Sequence, residues 1–237
     1  MEDIVSIPTR HGVVRGKLRR QGQGQLLSLL IHGFASYHDW TLFKDLASCL
    51  NCSSFRFDMP GVNISEGEYT VGLNQNVEVC EDVMLYFHDK GYNVYSGLGH
   101  SKGASVLLGA IAGLSSKVID LKKVVLLSPT FTYRPMLPGH YTKEQMDSLR
   151  TKGFFEFSPI GVPGKPIMVT RQGLEERRLY NNNKVCDIVK ERDTDILIIR
   201  GNEDEVSTID SVCQFMSKLS CLIFFLILKH TNKRFKG

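Results

Sequence analysis

Short apolar and β-branched runs recur along the chain with helical stretches between them, and that alternation restricts the folds open to it. Leu26 to Ile31 ("LLSLLI") is a continuous apolar run, which marks a strand covered on both faces in a parallel sheet. Ser54 to Asp58, Tyr95 to His100, Lys122 to Ser128 and Asp195 to Arg200 read as further strands, with Cys221 to Ile227 as the last. Between them, Trp40 to Leu50, Asn76 to Lys90, Ala104 to Leu114 and Ile209 to Leu219 carry helical periodicity. Ile4 to Pro8 and Val13 to Leu18 open the chain as an antiparallel pair turning at His11-Gly12.

Residues 129–190 break the alternation. Prolines and glycines ("RPMLPGHY", "SPIGVPGKP") interrupt two polar helical patches, Lys143 to Lys152 and Gln172 to Tyr180. This segment therefore reads as a cap-like insertion over the sheet edge. With 237 residues, 42% of them apolar, and no internal repeat, the chain is expected to form one domain over 1–237.

Charge and cysteine usage exclude several classes of function. The formal charge of +4 comes from basic residues spread along the chain, which argues against a nucleic-acid surface. The one basic cluster, "KHTNKRFKG", reads as a solvated end. Six cysteines without a disulfide spacing, and a polar Met1 to Arg10 where a leader would need an apolar core, predict a cytoplasmic setting. Cys49-x-x-Cys52 has no second pair with ligand spacing, so no metal is expected. Leu219 to Leu228 is too short to span a bilayer.

The chemistry centres on Gly97 to Ser105, "GLGHSKGAS". Gly-x-Ser-x-Gly turns up by chance roughly 0.15 times in such a chain, so its context must decide. Gly99-His100-Ser101-Lys102-Gly103 follows a strand and opens the apolar helix "ASVLLGAIAGL", the setting of a nucleophile elbow. Two glycines are needed because a serine strained at so tight a turn brings neighbouring backbone too close for a Cβ. "LLIHGFASYHDW" places His32-Gly33-Phe34 after a central strand, where the Phe34 N–H can join that of Lys102 as an oxyanion donor. "DILIIRGNEDEV" puts Asp204 after a late strand, and "CLIFFLILKH" puts His230 after the last one. A serine hydroxyl needs an imidazole to take its proton and a carboxylate to orient that imidazole, and Ser101, His230 and Asp204 can divide those roles.

With these motifs in the order HGF, "FRFDMPGVNISEGEY", "GHSKGAS", Asp204 loop and terminal histidine, the chain resembles the α/β-hydrolase superfamily from about Leu26 to His230. Within it, the small esterase and serine-aminopeptidase-like (S33-type) group is the most similar. The resemblance implies an α/β fold with a mostly parallel, doubly wound sheet and a short cap insertion. It implies a Ser101–Asp204–His230 triad, backbone oxyanion donors at Phe34 and Lys102, hydrolysis of small acyl esters, and no cofactor; a catalytically silent binding protein, or a peptidase or thioesterase of the same fold, is the alternative. Two departures stand out. No glycine precedes His230 and only seven residues follow it, which predicts that the family's closing C-terminal helix is missing. Asn63, in Val62-Asn63-Ile64, stands where relatives tend to carry glycine.

Other candidates have plainer readings. His100 is expected to pack, and His32 to brace the oxyanion loop; His38 and His140 are surface histidines or substrate contacts. Asp195 opens its strand and belongs at the wrong end of the sheet, while Glu203 is the nearest rival to Asp204. The Lys102 side chain is expected to reach solvent, leaving its N–H as the useful group.

Overall fold

The structure, a computed structural model, describes residues 2–22, 24–133 and 141–219, with the backbone of 223–228. An eight-stranded sheet runs in the order β1 (Glu2–Thr9), β2 (Gly12–Arg19), β4 (Ser53–Phe57), β3 (Leu26–Ile31), β5 (Asn93–His100), β6 (Lys123–Leu127), β9 (Asp195–Gly201) and β10 (Ile223–Leu228). From β4 to β10 all neighbours are parallel, whereas β1–β2 and β2–β4 are antiparallel. The mostly parallel, doubly wound α/β architecture expected from the alternating runs is what the chain adopts.

The two kinds of strand follow from their side chains. On β2, Val14 and Leu18 point to the core while alternate residues stay partly exposed, the period-two pattern of a sheet with one wet face. On β3 every residue after Leu26 is buried, because helices cover both faces. β4 is buried throughout and includes Arg56, 1% exposed. That charge is matched by both carboxylate oxygens of Glu2, at 2.7 and 2.8 Å, and by Asp39 at 3.0 Å.

One face of the sheet carries α2 (Asn74–Asp89), α3 (Lys102–Gly113), α6 (Asn182–Val189) and α7 (Ile209–Lys218) around the main core. On α2 the buried residues Asn76, Val79, Cys80, Val83, Met84 and Phe87 recur at three- and four-residue steps. Burial of each large apolar side chain there contributes roughly 1.5–3 kcal/mol. α3 is buried from Lys102 to Ile111, and its small residues let neighbours close in: a Cβ on Gly109 would lie 2.6 Å from Val77. The other face is covered by α1 (Thr41–Cys49), whose Phe43 and Ala47 pack on Leu30 and Leu98.

Between β6 and α6 lie α4 (Lys143–Thr151), the hairpin β7 (Phe154–Phe157) and β8 (Ile167–Thr170), and α5 (Arg171–Leu179). The two predicted helical patches are α4 and α5. The hairpin and α6 went unread because they are short, four residues in each strand and eight in the helix, too few for a periodicity to show. This segment builds its own small core from Leu149, Phe155 and Val169 with Val71, against which Phe34 packs. Among the described residues no helix is long and apolar enough to cross a membrane.

Candidate active site

Strand order reverses at β3, which has β4 on one side and β5 on the other. At such a switch point successive loops leave in opposite directions and open a crevice at the C-terminal strand ends. Ile31 ends β3 in register with Gly99 of β5, so the His32-Gly33-Phe34 loop and Ser101 emerge side by side.

Ser101 stands between β5 and α3 with φ 55° and ψ −116°, a backbone conformation that L-residues with a Cβ rarely adopt. Such a conformation costs on the order of 1–3 kcal/mol and persists only where its surroundings enforce it. Three contacts do so. The Ser101 N–H donates to the Leu127 carbonyl at 2.8 Å, and the Ala104 N–H donates to the Ser101 carbonyl at 3.1 Å. The flanking glycines have no room for a side chain. A Cβ on Gly99 would run into the Gly103 carbonyl and lie 2.6 Å from the Ala104 Cα; one on Gly103 would strike the Ile31 carbonyl and lie 2.7 Å from that of His32. Gly33 is equally tight, since its Cβ would come within 3.1 Å of the Ser101 Cβ.

The loop after β3 is braced by His32, 4% exposed. Its Nε2 accepts from the Met59 N–H at 3.1 Å, so Nδ1 carries the proton and donates to the Gly33 carbonyl at 2.8 Å. Burial pushes the imidazole pKa down and keeps it neutral in that tautomer. Among the described residues neither the Phe34 nor the Lys102 backbone N–H is spent on a protein acceptor.

The Lys102 side chain does not reach solvent. It is 5% exposed, its Nζ donates to the Thr70 carbonyl at 2.7 Å, and it lies 5.4 Å from the Tyr69 ring centre. Because α3 is buried from its first turn, its first residue is enclosed as well, and burial drives the ammonium pKa well below its ordinary value.

Asp204 follows β9 and is 2% exposed, with Oδ1 accepting from the Val206 and Ser207 N–H groups at 3.0 and 2.9 Å. Arg200 ties the same loop down by donating to the Ser207 and Asp204 carbonyls, and the Ser207 hydroxyl donates to the Pro129 carbonyl. Glu203 is exposed, and Asp195 sits at the opposite end of β9 beside Lys123. β10 runs parallel to β9 with Leu228 opposite Gly201. His230 and His140 lie outside the described residues, as do the chain's last nine positions.

His100 and His38 both pack. The His100 ring stands 4.7 Å from that of Trp40. His38 is neither a surface residue nor open to a substrate: it is 4% exposed and its N–H and Nδ1 meet the two oxygens of Asp58, at 2.7 and 2.8 Å. Asp58, fully buried, also accepts from the Asn63 side chain at 3.0 Å. The "FRFDMPG" aspartate thus organises loops, which its position in the sequence did not disclose. Asn63 has φ 45°, so the position where relatives tend to carry glycine keeps a left-handed backbone that asparagine tolerates.

The loops after β6 and β9 and the α4–α5 cap border an open cleft of about 630 Å³, with Tyr133, Tyr141, Leu149, Arg177 and Val206 in its lining. Arg177 was not singled out by the sequence, where it is one of several charges on a polar helix. The Glu176 carboxylate accepts from the Leu73 and Asn74 N–H groups at 2.9 and 2.8 Å, which docks the cap onto the start of α2.

No protein-family model matches the chain, and no curated protein matches its sequence. Solved structures do match. The α/β hydrolase GrgF from Penicillium sp. sh18 superposes with a TM-score of 0.76 at 15% identity, over 98% of this chain and 91% of that one. Est1E from Butyrivibrio proteoclasticus, with ferulic acid bound, gives 0.75 at 16%, over 96% and 90%. The esterase domain of a Rhodothermus marinus protein gives 0.65 at 18%, over 98% and 89%. The fold is that of the α/β hydrolases.

Proposed function

We propose that the protein is a serine hydrolase that cleaves carboxylic esters of small acyl substrates through an acyl-enzyme. The observation that carries this reading is the strained Ser101, held between two glycines that admit no side chain, at the switch point of the sheet. A backbone this costly is retained where a side chain must stand clear of its neighbours.

In this reading Ser101 attacks the acyl carbonyl and His230 takes its proton, while Asp204 holds the imidazole in the tautomer that can accept it. The N–H groups of Phe34 and Lys102 stabilise the oxyanion, which fits their freedom from other acceptors among the described residues. His230 then delivers the proton to the leaving alcohol, and water, activated by the same base, releases the acid. The end of β10 opposite Gly201 supports the pairing of His230 with the Asp204 loop, because both chains leave the sheet at one edge. Five cysteines without disulfides among the described residues support a cytoplasmic location.

The test is labelling of the whole chain by a fluorophosphonate, with 4-nitrophenyl ester turnover measured in parallel. Ser101→Ala is expected to abolish both while leaving the protein folded. Folded wild-type protein that takes no label would refute the assignment.

A further inference from the structure

The cleft under the α4–α5 segment contains a cation that has no counter-ion among the described residues. On α5 the sequence Glu175-Glu176-Arg177-Arg178 supplies two acids and two bases, but they do not pair off. Arg178 is held by Glu175 at 2.5 Å, and Glu176 is turned away to cap α2. Arg171, also in the cleft lining, donates to the Leu149 and Arg150 carbonyls. Among the described residues Arg177 alone of the three makes no hydrogen bond or ion pair, and its Nε is buried without a hydrogen-bond partner. Every aspartate and glutamate of the chain lies among the described residues, and none meets Arg177. Glu205 and Asp210 also line the cleft, as exposed residues.

The guanidinium is nevertheless fixed in place. Its carbon lies 4.6 Å from the Tyr133 ring centre and 5.8 Å from that of Phe34. Such contacts restrain the guanidinium, and Arg177 keeps part of its side chain exposed in the cleft lining. Phe34 is also the residue whose backbone N–H is assigned to the oxyanion, so the cation stands one aromatic ring away from the reacting carbonyl. A half-buried arginine without a carboxylate partner is costly, and a ligand carboxylate would satisfy it with charge-assisted hydrogen bonds.

Resting on the hydrolase reading, we propose that Arg177 is the specificity residue of the cleft and selects esters that carry a second, free carboxylate, such as monoesters of short dicarboxylic acids. The carboxylate would dock on the N–H edge of Arg177 while the ester carbonyl lies at Ser101. The reaction is unchanged: the ester bond breaks, the serine ester forms and is hydrolysed, and the charged group stays intact.

Two measurements on the whole chain test this. Calorimetric titration with glutarate needs no turnover; wild-type protein is expected to bind it, and Arg177→Gln to bind roughly tenfold to a hundredfold more weakly. The second is the ratio of kcat/KM for 4-nitrophenyl hydrogen glutarate to that for 4-nitrophenyl valerate. It should favour the charged ester in wild type and fall by a similar factor in Arg177→Gln, the ratio cancelling any effect common to both esters. Arg177→Lys keeps the charge but not the fork and should fall between them; it also carries the test should the glutamine variant fail to fold. Arg177-dependent glutarate binding without turnover of either ester would uphold the anion site and refute the hydrolase. Turnover of both esters with no preference and no glutarate binding would uphold the hydrolase and refute the role of Arg177.

Discussion

Replacing Ser101 by glycine should make the protein more stable as it makes it inert. The serine backbone at φ 55°, ψ −116° costs about 1–3 kcal/mol, a cost that glycine, lacking Cβ, does not incur. Glycine in turn gives the unfolded chain more freedom, which offsets about 0.5–1 kcal/mol. The net expectation is a gain of up to about 2.5 kcal/mol, or a rise in Tm of up to about 10 °C for a chain of this size. The right reference is Ser101→Ala, which loses the same hydroxyl but keeps the Cβ and the strain. Ser101 caps α3 without a side-chain hydrogen bond to the helix, so neither variant removes a cap. The difference between the two, measured by urea unfolding monitored by circular dichroism, therefore isolates the strain. Equal stability of the glycine and alanine variants would refute the claim that the elbow stores strain, whatever either does to activity.

Three further expectations come from the same neighbourhood. Gly103→Ala should destabilise by about 1–3 kcal/mol or more and abolish fluorophosphonate labelling, because the new Cβ strikes the Ile31 carbonyl; denaturant midpoints and gel labelling check it. Folding stability should fall as pH drops below 6.5. There the unfolded chain binds a proton that buried His32, with its lowered pKa, refuses, so stability rises with pH at up to about 1.4 kcal/mol per unit. His32→Gln should flatten that part of the profile in urea titrations at stepped pH. Glu176→Ala should cost about 0.5–2 kcal/mol by uncapping α2, and limited proteolysis should then cut the α4–α5 segment faster.

The parts of the molecule that could be read from the sequence are those where one local rule decides the outcome. β3 is legible because a strand covered on both faces must be apolar throughout, and its predicted bounds, Leu26–Ile31, are those observed. The elbow is legible because only glycine fits on either side of a serine so placed. Lys102, His38 and Arg177 were opaque for a shared reason: their surroundings are made by residues far away in the chain. Lys102 is enclosed by the Tyr69–Thr70 loop, His38 by Asp58, and Arg177 by Phe34 and Tyr133. In each case a polar residue that composition would send to the surface is retained inside by a partner that no periodicity points to. β4 shows the same limit, since Arg56 interrupts its apolar run and only the topology brings Glu2 and Asp39 to it.

The elbow's dependence on distant chain also explains why its position can be exact to the atom. Its backbone is restrained by a hydrogen bond to the end of β6, its flanking Gly103 is pressed against the end of β3, and its Cβ is shadowed by Gly33. The restraints come from the ends of two strands, β3 and β6, on either side of β5, so relieving the strain means shifting strands of the sheet, and a packed sheet resists that. The cap obeys other physics. It is tied to the core through the Glu176 carboxylate at the start of α2 and through aromatic contacts with Phe34. Such ties can yield without disturbing the sheet. In the reading proposed above, the chemistry rests with Ser101 at the strand ends, and the choice of substrate with Arg177 on the separately tied α5.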